Sequence, residues 1–80
     1  MPHVNIKLFP RALAAEQTHE LVSRITSVLS DVLGCDVGQV SIALEPVAKD
    51  QWRQAVFIPE IEGKQHLLCK FPEYSLSESI

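Results

Sequence analysis

The sequence predicts a two-layer α/β fold of the α+β kind, begun by a β-α-β unit, and three observations predict it. Val4, Ile6 and Leu8 alternate with His3, Asn5 and Lys7; a long segment with helical periodicity follows; and a second alternation sets Val40, Ile42 and Leu44 against Ser41, Ala43 and Glu45. Period-two alternation marks a strand with one buried face, and steps of three and four mark an amphipathic helix. Two such strands joined by a helix, about thirty residues apart, have the span of a right-handed parallel crossover. Parallel strands covered on both faces read as continuous apolar runs, so alternation implies helices on one face only.

The first strand, from His3 to Leu8, is closed by Phe9-Pro10-Arg11, because proline cannot donate to a ladder and holds its predecessor extended. The helix is predicted over about 13–33: Leu21, Val22, Ile25, Val28, Leu29, Val32 and Leu33 share a face, while Glu20, Arg24, Ser27 and Asp31 lie on another. Gly34 stands where a left-handed cap is expected, and Glu16 suits the positive end of the helix dipole. Pro46 terminates the second strand. Beyond it, Asp50 is placed to cap a short turn through Gln51, Trp52 and Arg53, and Ala55-Val56-Phe57-Ile58 fits either that turn or a short strand. An extra C-terminal helix is predicted over 59–71, opened by Pro59 with Glu60 and Glu62 and stopped by Phe71-Pro72, with Ile61, Gln65, Leu68 and Cys69 on one face. Gly63 costs about 1 kcal/mol there relative to alanine. Residues 75–80 read as a flexible tail.

Eighty residues with 46% apolar content make a single domain spanning 1–80. A core of that size supplies no more than about 3 to 5 kcal/mol, so a disulfide, a metal or a partner subunit is expected. Cys35 and Cys69 are far apart and outside any metal-binding spacing, which reads as two buried apolar cysteines. His3, His19 and His66 are scattered. No cofactor or metal is implied, and association between copies is the expected staple. Two strands are also too few for a stable sheet, so a four-stranded sheet formed across a homodimer is predicted. Seven basic and ten acidic residues, net charge −3, without a basic cluster, argue against nucleic acid. Without a leader-like start or an apolar run near the ~20 residues that cross a bilayer, the expectation is a cytoplasmic chain with no membrane partner.

Pro2 carries the chemistry. Once Met1 is removed, Pro2 becomes a secondary amine with a basic lone pair, which no internal proline possesses. An ordinary α-amino group titrates near pH ~8, and an apolar pocket or a nearby cation brings it toward neutrality, where a general base works best.

Pro2 heading a strand, the helix ending near Gly34, the strand Ser41-Ile42-Ala43-Leu44-Glu45 and Trp52 shortly after together resemble the 4-oxalocrotonate tautomerase family over nearly the whole chain. Met1-Pro2-His3, Phe9-Pro10-Arg11, Glu60-Ile61 and Pro72-Glu73-Tyr74-Ser75 are similar to its dimeric PptA-type branch. The resemblance implies a keto-enol isomerase, with Pro2 moving a proton between the oxygen and carbon ends of a small carboxylate substrate. It implies Arg11 as the carboxylate clamp, a role a guanidinium fork suits, although Arg11 also fits an ordinary loop arginine. It implies Trp52 as the apolar wall of the pocket, although a lone tryptophan also serves as a core or interface anchor. Where hexameric members carry a second arginine this chain has Ser41, which cannot neutralise a carboxylate. Ser41 therefore points to a substrate with one carboxylate, such as an aryl enolpyruvate, with Arg53 or His3 as candidates to compensate. On the same fold the alternatives are hydration, dehalogenation or decarboxylation of small unsaturated or keto acids, with Pro2 protonated; from another class, a non-catalytic dimeric binding module. The segment 59–71 is expected to cover the sheet edge or face through which hexameric relatives associate, limiting assembly to the dimer.

Overall fold

A computed structural model gives the architecture and describes residues 1–74; the expected tail at 75–80 lies outside the described residues. Strand β1 runs over His3–Leu8, helix α1 over Ala15–Leu33, and strand β2 over Ser41–Pro46. A 3-10 turn at Val37–Gln39 precedes β2; after it come a 3-10 turn at Lys49–Gln51, a wide-turned helical segment at Arg53–Glu62 and a final 3-10 turn at Gln65–Leu67. The α+β class and the β-α-β order are as the sequence predicts.

β1 and β2 form one two-stranded sheet. The Ser41 N–H donates to the Pro2 carbonyl at 3.1 Å and the Val47 N–H to the Leu8 carbonyl at 2.8 Å. Both bonds join residues 39 apart, and partners advancing together along both strands make the pairing parallel. Along β1, His3 and Asn5 are exposed while Val4, Ile6 and Leu8 are half-buried, as alternation requires. Lys7 departs from the pattern: its side chain is 24% exposed, with the amine paired to Glu60 at 3.5 Å, so a long aliphatic stem is covered while its charge finds a partner.

The chain divides into two compact units, Met1–Ile6 with Arg11–Glu45, and Lys7–Pro10 with Pro46–Ile80. In the first, α1 starts at Ala14, whose carbonyl accepts from the Gln17 and Thr18 N–H groups, and whose own N–H is taken by the Gln17 side chain at 2.9 Å. This satisfies backbone groups that a helix start otherwise leaves open, with Gln17 in the returning role of a capping box. Gly34 ends the helix at φ 70° and ψ 35°, its N–H donating to the Ser30 carbonyl, which is the left-handed cap expected from the sequence. Val22, Ile25 and Leu29 form a half-buried stripe, but no residue of α1 is buried, and Val28, Val32 and Leu33 are 59%, 77% and 61% exposed.

The second unit holds the residues that are buried, Val47, Val56 and Phe57. Here the expected boundaries shift. Asp50 lies inside the Lys49–Gln51 turn, whose N-cap is Ala48, and makes no capping bond. Ala55 to Ile58 belongs to the helical segment Arg53–Glu62 rather than to a strand, and the C-terminal helix expected over 59–71 is replaced by this earlier segment and the Gln65–Leu67 turn. Pro59 lies inside the helix instead of opening it. In α geometry its ring would meet the carbonyl four residues back, and it has no N–H to give. The wider turn, with bonds spanning five residues such as Gly63 N–H to the Ile58 carbonyl at 2.8 Å, relieves the crowding. The cysteines also differ from expectation. Cys35 is half-buried and Cys69 exposed, both free thiols, because the segment carrying Cys69 is not a helix with a covered face.

Gly63 follows from this geometry. A Cβ there would stand 2.8 Å from the Pro59 carbonyl oxygen and 3.0 Å from that of Ile58, closer than carbon and oxygen tolerate. Alanine normally stabilises a helical position by about 1 kcal/mol over glycine. Gly63→Ala is expected to reverse that sign and destabilise by about 1 to 3 kcal/mol, as overpacking does, measured as a lower urea midpoint; a raised midpoint would show that the turn is not crowded.

Candidate active site

Pro2 lies just before β1, is half-buried, and has its carbonyl held by the Ser41 backbone; Met1 ahead of it is 92% exposed. The parallel register thus sets Pro2 beside Ser41, two of the residues singled out from the sequence. Ser41 does not present an isolated hydroxyl: its Oγ lies 2.6 Å from Nδ1 of His3. Further along, the Asn5 amide reaches diagonally past Ala43 and donates to the Glu45 carboxylate at 2.9 Å. The Ser41 N–H bonds to the carbonyl just before His3, so His3 stands level with Ser41 and odd-numbered side chains of both strands share the exposed face, where the two polar pairs form.

Arg11 follows Pro10 in the loop between β1 and α1, in the same unit as Pro2 and Ser41, and is exposed; among the described residues it forms no ion pair.

Trp52 belongs to the second unit, where it is half-buried in an aromatic group. Phe9 meets it edge to face, with ring centres 5.0 Å apart at 84°, and its indole N–H donates to the Tyr74 hydroxyl at 3.0 Å. Tyr74 in turn lies against Phe57, 5.8 Å between ring centres. Edge-to-face geometry sets the positive rim of one ring on the negative face of the other, and the half-buried indole N–H is satisfied. The orientation of Trp52 is therefore fixed by Phe9 and Tyr74, a role for Tyr74 that sequence reasoning missed. In the same unit Glu60 accepts from Lys64 at 3.1 Å and faces Lys7; the Lys64 hydrogen bond and charge, then Lys7, hold its carboxyl below the ordinary 4.5.

Among the described residues no group of three or more His, Cys, Asp or Glu is arranged to hold a metal ion, and no helix is long and apolar enough to cross a membrane. An open groove of about 360 Å³ lies along α1 between Val22, Thr26, Ser30 and Val37, and another of about 220 Å³ lies over Ile25, Val28 and Leu29. Neither is lined by Pro2, Arg11, Ser41 or Trp52.

A β-α-β chain whose proline opens the first strand beside the start of the second has the layout of a tautomerase, and comparison with known proteins agrees. The family model described as "Tautomerase enzyme" matches residues 2–59. "Tautomerase PptA" of Klebsiella pneumoniae is 46% identical over 76 residues, 95% of this chain and 100% of that protein. "Tautomerase PptA" of Escherichia coli K12 is 38% identical over 77 residues, covering 96% and 99%. The crystal structure of DmpI from Helicobacter pylori shares the fold, with a TM-score of 0.54 at 24% identity over 60% of this chain and 75% of that one. The chain belongs to the tautomerase family, and its activity is that of an isomerase of the tautomerase type.

Because Trp52 is the single tryptophan, its fluorescence reports its surroundings. Tyr74→Phe keeps the ring but removes the acceptor of the indole N–H. It is expected to shift the emission of Trp52 and to cost about 1 kcal/mol of stability; unaltered emission and stability would show that the bond does not orient the indole.

Proposed function

We propose that the chain works as a homodimeric enol-keto tautomerase on a small 2-hydroxy-enoate or enolpyruvate acid, with the amine of Pro2 as general base once Met1 has been removed. The observation that carries this reading is the N-terminal geometry: a methionine 92% exposed, followed by a half-buried proline held by the Ser41 N–H at the start of the sheet. The amine takes the proton of the enol hydroxyl, the oxygen electrons close to a carbonyl, and the carbon-carbon double bond takes a proton at the carbon next to it. Pro2 is restored by giving the proton back, so the cycle needs no redox partner. A ring nitrogen fixed by its own backbone presents its lone pair in one direction, which favours a positioned transfer.

In this proposal Arg11 holds the single carboxylate, Trp52 supplies an apolar wall kept in orientation by Phe9 and Tyr74, and Ser41 lines the substrate's far side. The support for a dimer is physical. The unit containing α1 and Pro2 has no buried residue, while Val28 and Val32 stay largely exposed. Apolar surface of that kind on so small a chain calls for a cover, and a second copy that also extends the two-stranded sheet provides one.

Pro2→Ala is expected to lower kcat/KM for phenylenolpyruvate by at least about a hundredfold, the size of an ordinary general-base contribution, measured from the decay of enol absorbance; an unchanged rate would take Pro2 out of the mechanism. Sedimentation velocity should show a species of twice the chain mass, and a monomer would contradict the assembly.

A further inference from the structure

We infer that Phe9 and Tyr74 are positioning residues for the carboxylate clamp: with Trp52 they form a three-ring brace that fixes the start of the loop carrying Arg11. A tyrosine near the end of the chain thereby sets how well the substrate's carboxylate is held. The inference rests on the tautomerase reading and deepens it by adding residues that act through another side chain. What carries it is the way the end of β1 is held.

Three consecutive residues there are each tied to a different partner within the second unit. Lys7 pairs with Glu60 at 3.5 Å, the Leu8 carbonyl accepts from the Val47 N–H at 2.8 Å, and the Phe9 ring meets Trp52 edge to face with centres 5.0 Å apart. Val47 is buried, so the backbone bond starts from a fixed point. Trp52 is fixed in turn: its N–H donates to the Tyr74 hydroxyl at 3.0 Å, and the Tyr74 ring lies 5.8 Å from that of the buried Phe57. The contacts thus run from Phe57 through Tyr74 and Trp52 to Phe9. Without the Tyr74 hydroxyl the indole loses the bond that orients it, and Phe9 loses the ring geometry it packs against.

Beyond Phe9 the chain enters the loop before α1, and only Pro10 separates Phe9 from Arg11. Proline fixes its own φ and keeps the residue before it extended, so Phe9 and Pro10 together set the direction in which the chain reaches Arg11. Arg11 is exposed and, among the described residues, forms no ion pair. The far end of the loop is anchored at Ala14 by the Gln17 side chain, and Phe9 is the near anchor. A clamp that must be ordered as it binds loses affinity to conformational entropy, and a loop with both ends fixed loses less. The brace is also open to substitution, since Phe9 is 38% exposed and Trp52 and Tyr74 are half-buried.

Steady-state kinetics with phenylenolpyruvate test the brace. Phe9→Leu and Tyr74→Phe are each expected to raise KM about tenfold, the effect of one backbone residue left to be ordered on binding, with kcat within about twofold of wild type. A merely structural role would instead lower the folded fraction, and with it kcat, at constant KM. Phe9→Tyr, which keeps the ring and lets its hydroxyl reach solvent, should return KM to the wild-type value. The double variant should be no worse than the poorer single one, because both act through one contact. In an Arg11→Ala background, Phe9→Leu should no longer change KM. Unchanged KM in the single variants, or an undiminished effect of Phe9→Leu without Arg11, overturns the inference and leaves the tautomerase reading standing. A wild type inert toward phenylenolpyruvate overturns the reading and the inference together. Phe9 and Tyr74 are read separately, so if one variant fails to fold the other decides.

Discussion

The parallel pairing of β1 with β2 is the constraint on which the rest of the structure depends. One offset, seen in the bonds from Ser41 to Pro2 and from Val47 to Leu8, decides which residues become neighbours. Slipping the register by one residue would turn Ile42 and Leu44 to the polar face and separate His3 from Ser41. The same offset anchors the first backbone carbonyl of the strand, so a residue at the very start of the chain, usually a place of fraying, is tied to the sheet. In the proposed mechanism a base needs a fixed position more than it needs unusual chemistry, and this bond to the Pro2 carbonyl is what supports that reading.

Two consequences follow for the sheet's exposed face and for assembly. His3–Ser41 and Asn5–Glu45 make that face hydrogen-bonded and polar, and Lys7 on the same strand is engaged by Glu60 of the C-terminal helical segment. Exposed apolar side chains lie on α1, at Val28 and Val32, and also in the second unit, at Ile58, Leu67 and Phe71, while the buried residues among the described ones, Val47, Val56 and Phe57, all belong to the second unit. Burial is thus unevenly divided: the aromatic group around Trp52 is built into the unit with buried residues, and Pro2 and Arg11 belong to the unit that has none.

Much of this was legible in the sequence, where the physics is local. Alternation in His3–Leu8 and Ser41–Pro46 fixes strands because side chains must divide between two faces, and Gly34 marks a helix end because a left-handed residue without a Cβ costs least. The region after Pro46 was not legible in the same way. Pro59 matches a helix start, the usual place for proline, but a wider turn accommodates it inside, and no residue pattern announces turns of that width. Asp50 had the composition of a cap without the position, and Cys69 lost its expected burial with the helix that would have covered it. Pro2 stands out from its place at the head of an alternating strand, whereas Arg11, Ser41 and Trp52 are singled out only through the family resemblance. The bond between His3 and Ser41 could not be foreseen, since it needs the strand offset, although alternation had already put both on the polar face. Tyr74 was hidden because its partner lies 22 residues away and depends on how the irregular segment turns back.

The central claim is that the ring nitrogen of Pro2 is a free amine. Intact-mass measurement of the purified protein, followed by sequencing from the amino terminus, tests it most directly. The account predicts a chain lighter than its translated sequence by one methionine, with proline as the first residue released. A full-length mass with Met1 still joined to Pro2 would leave that nitrogen in an amide, without basicity, and would contradict the account.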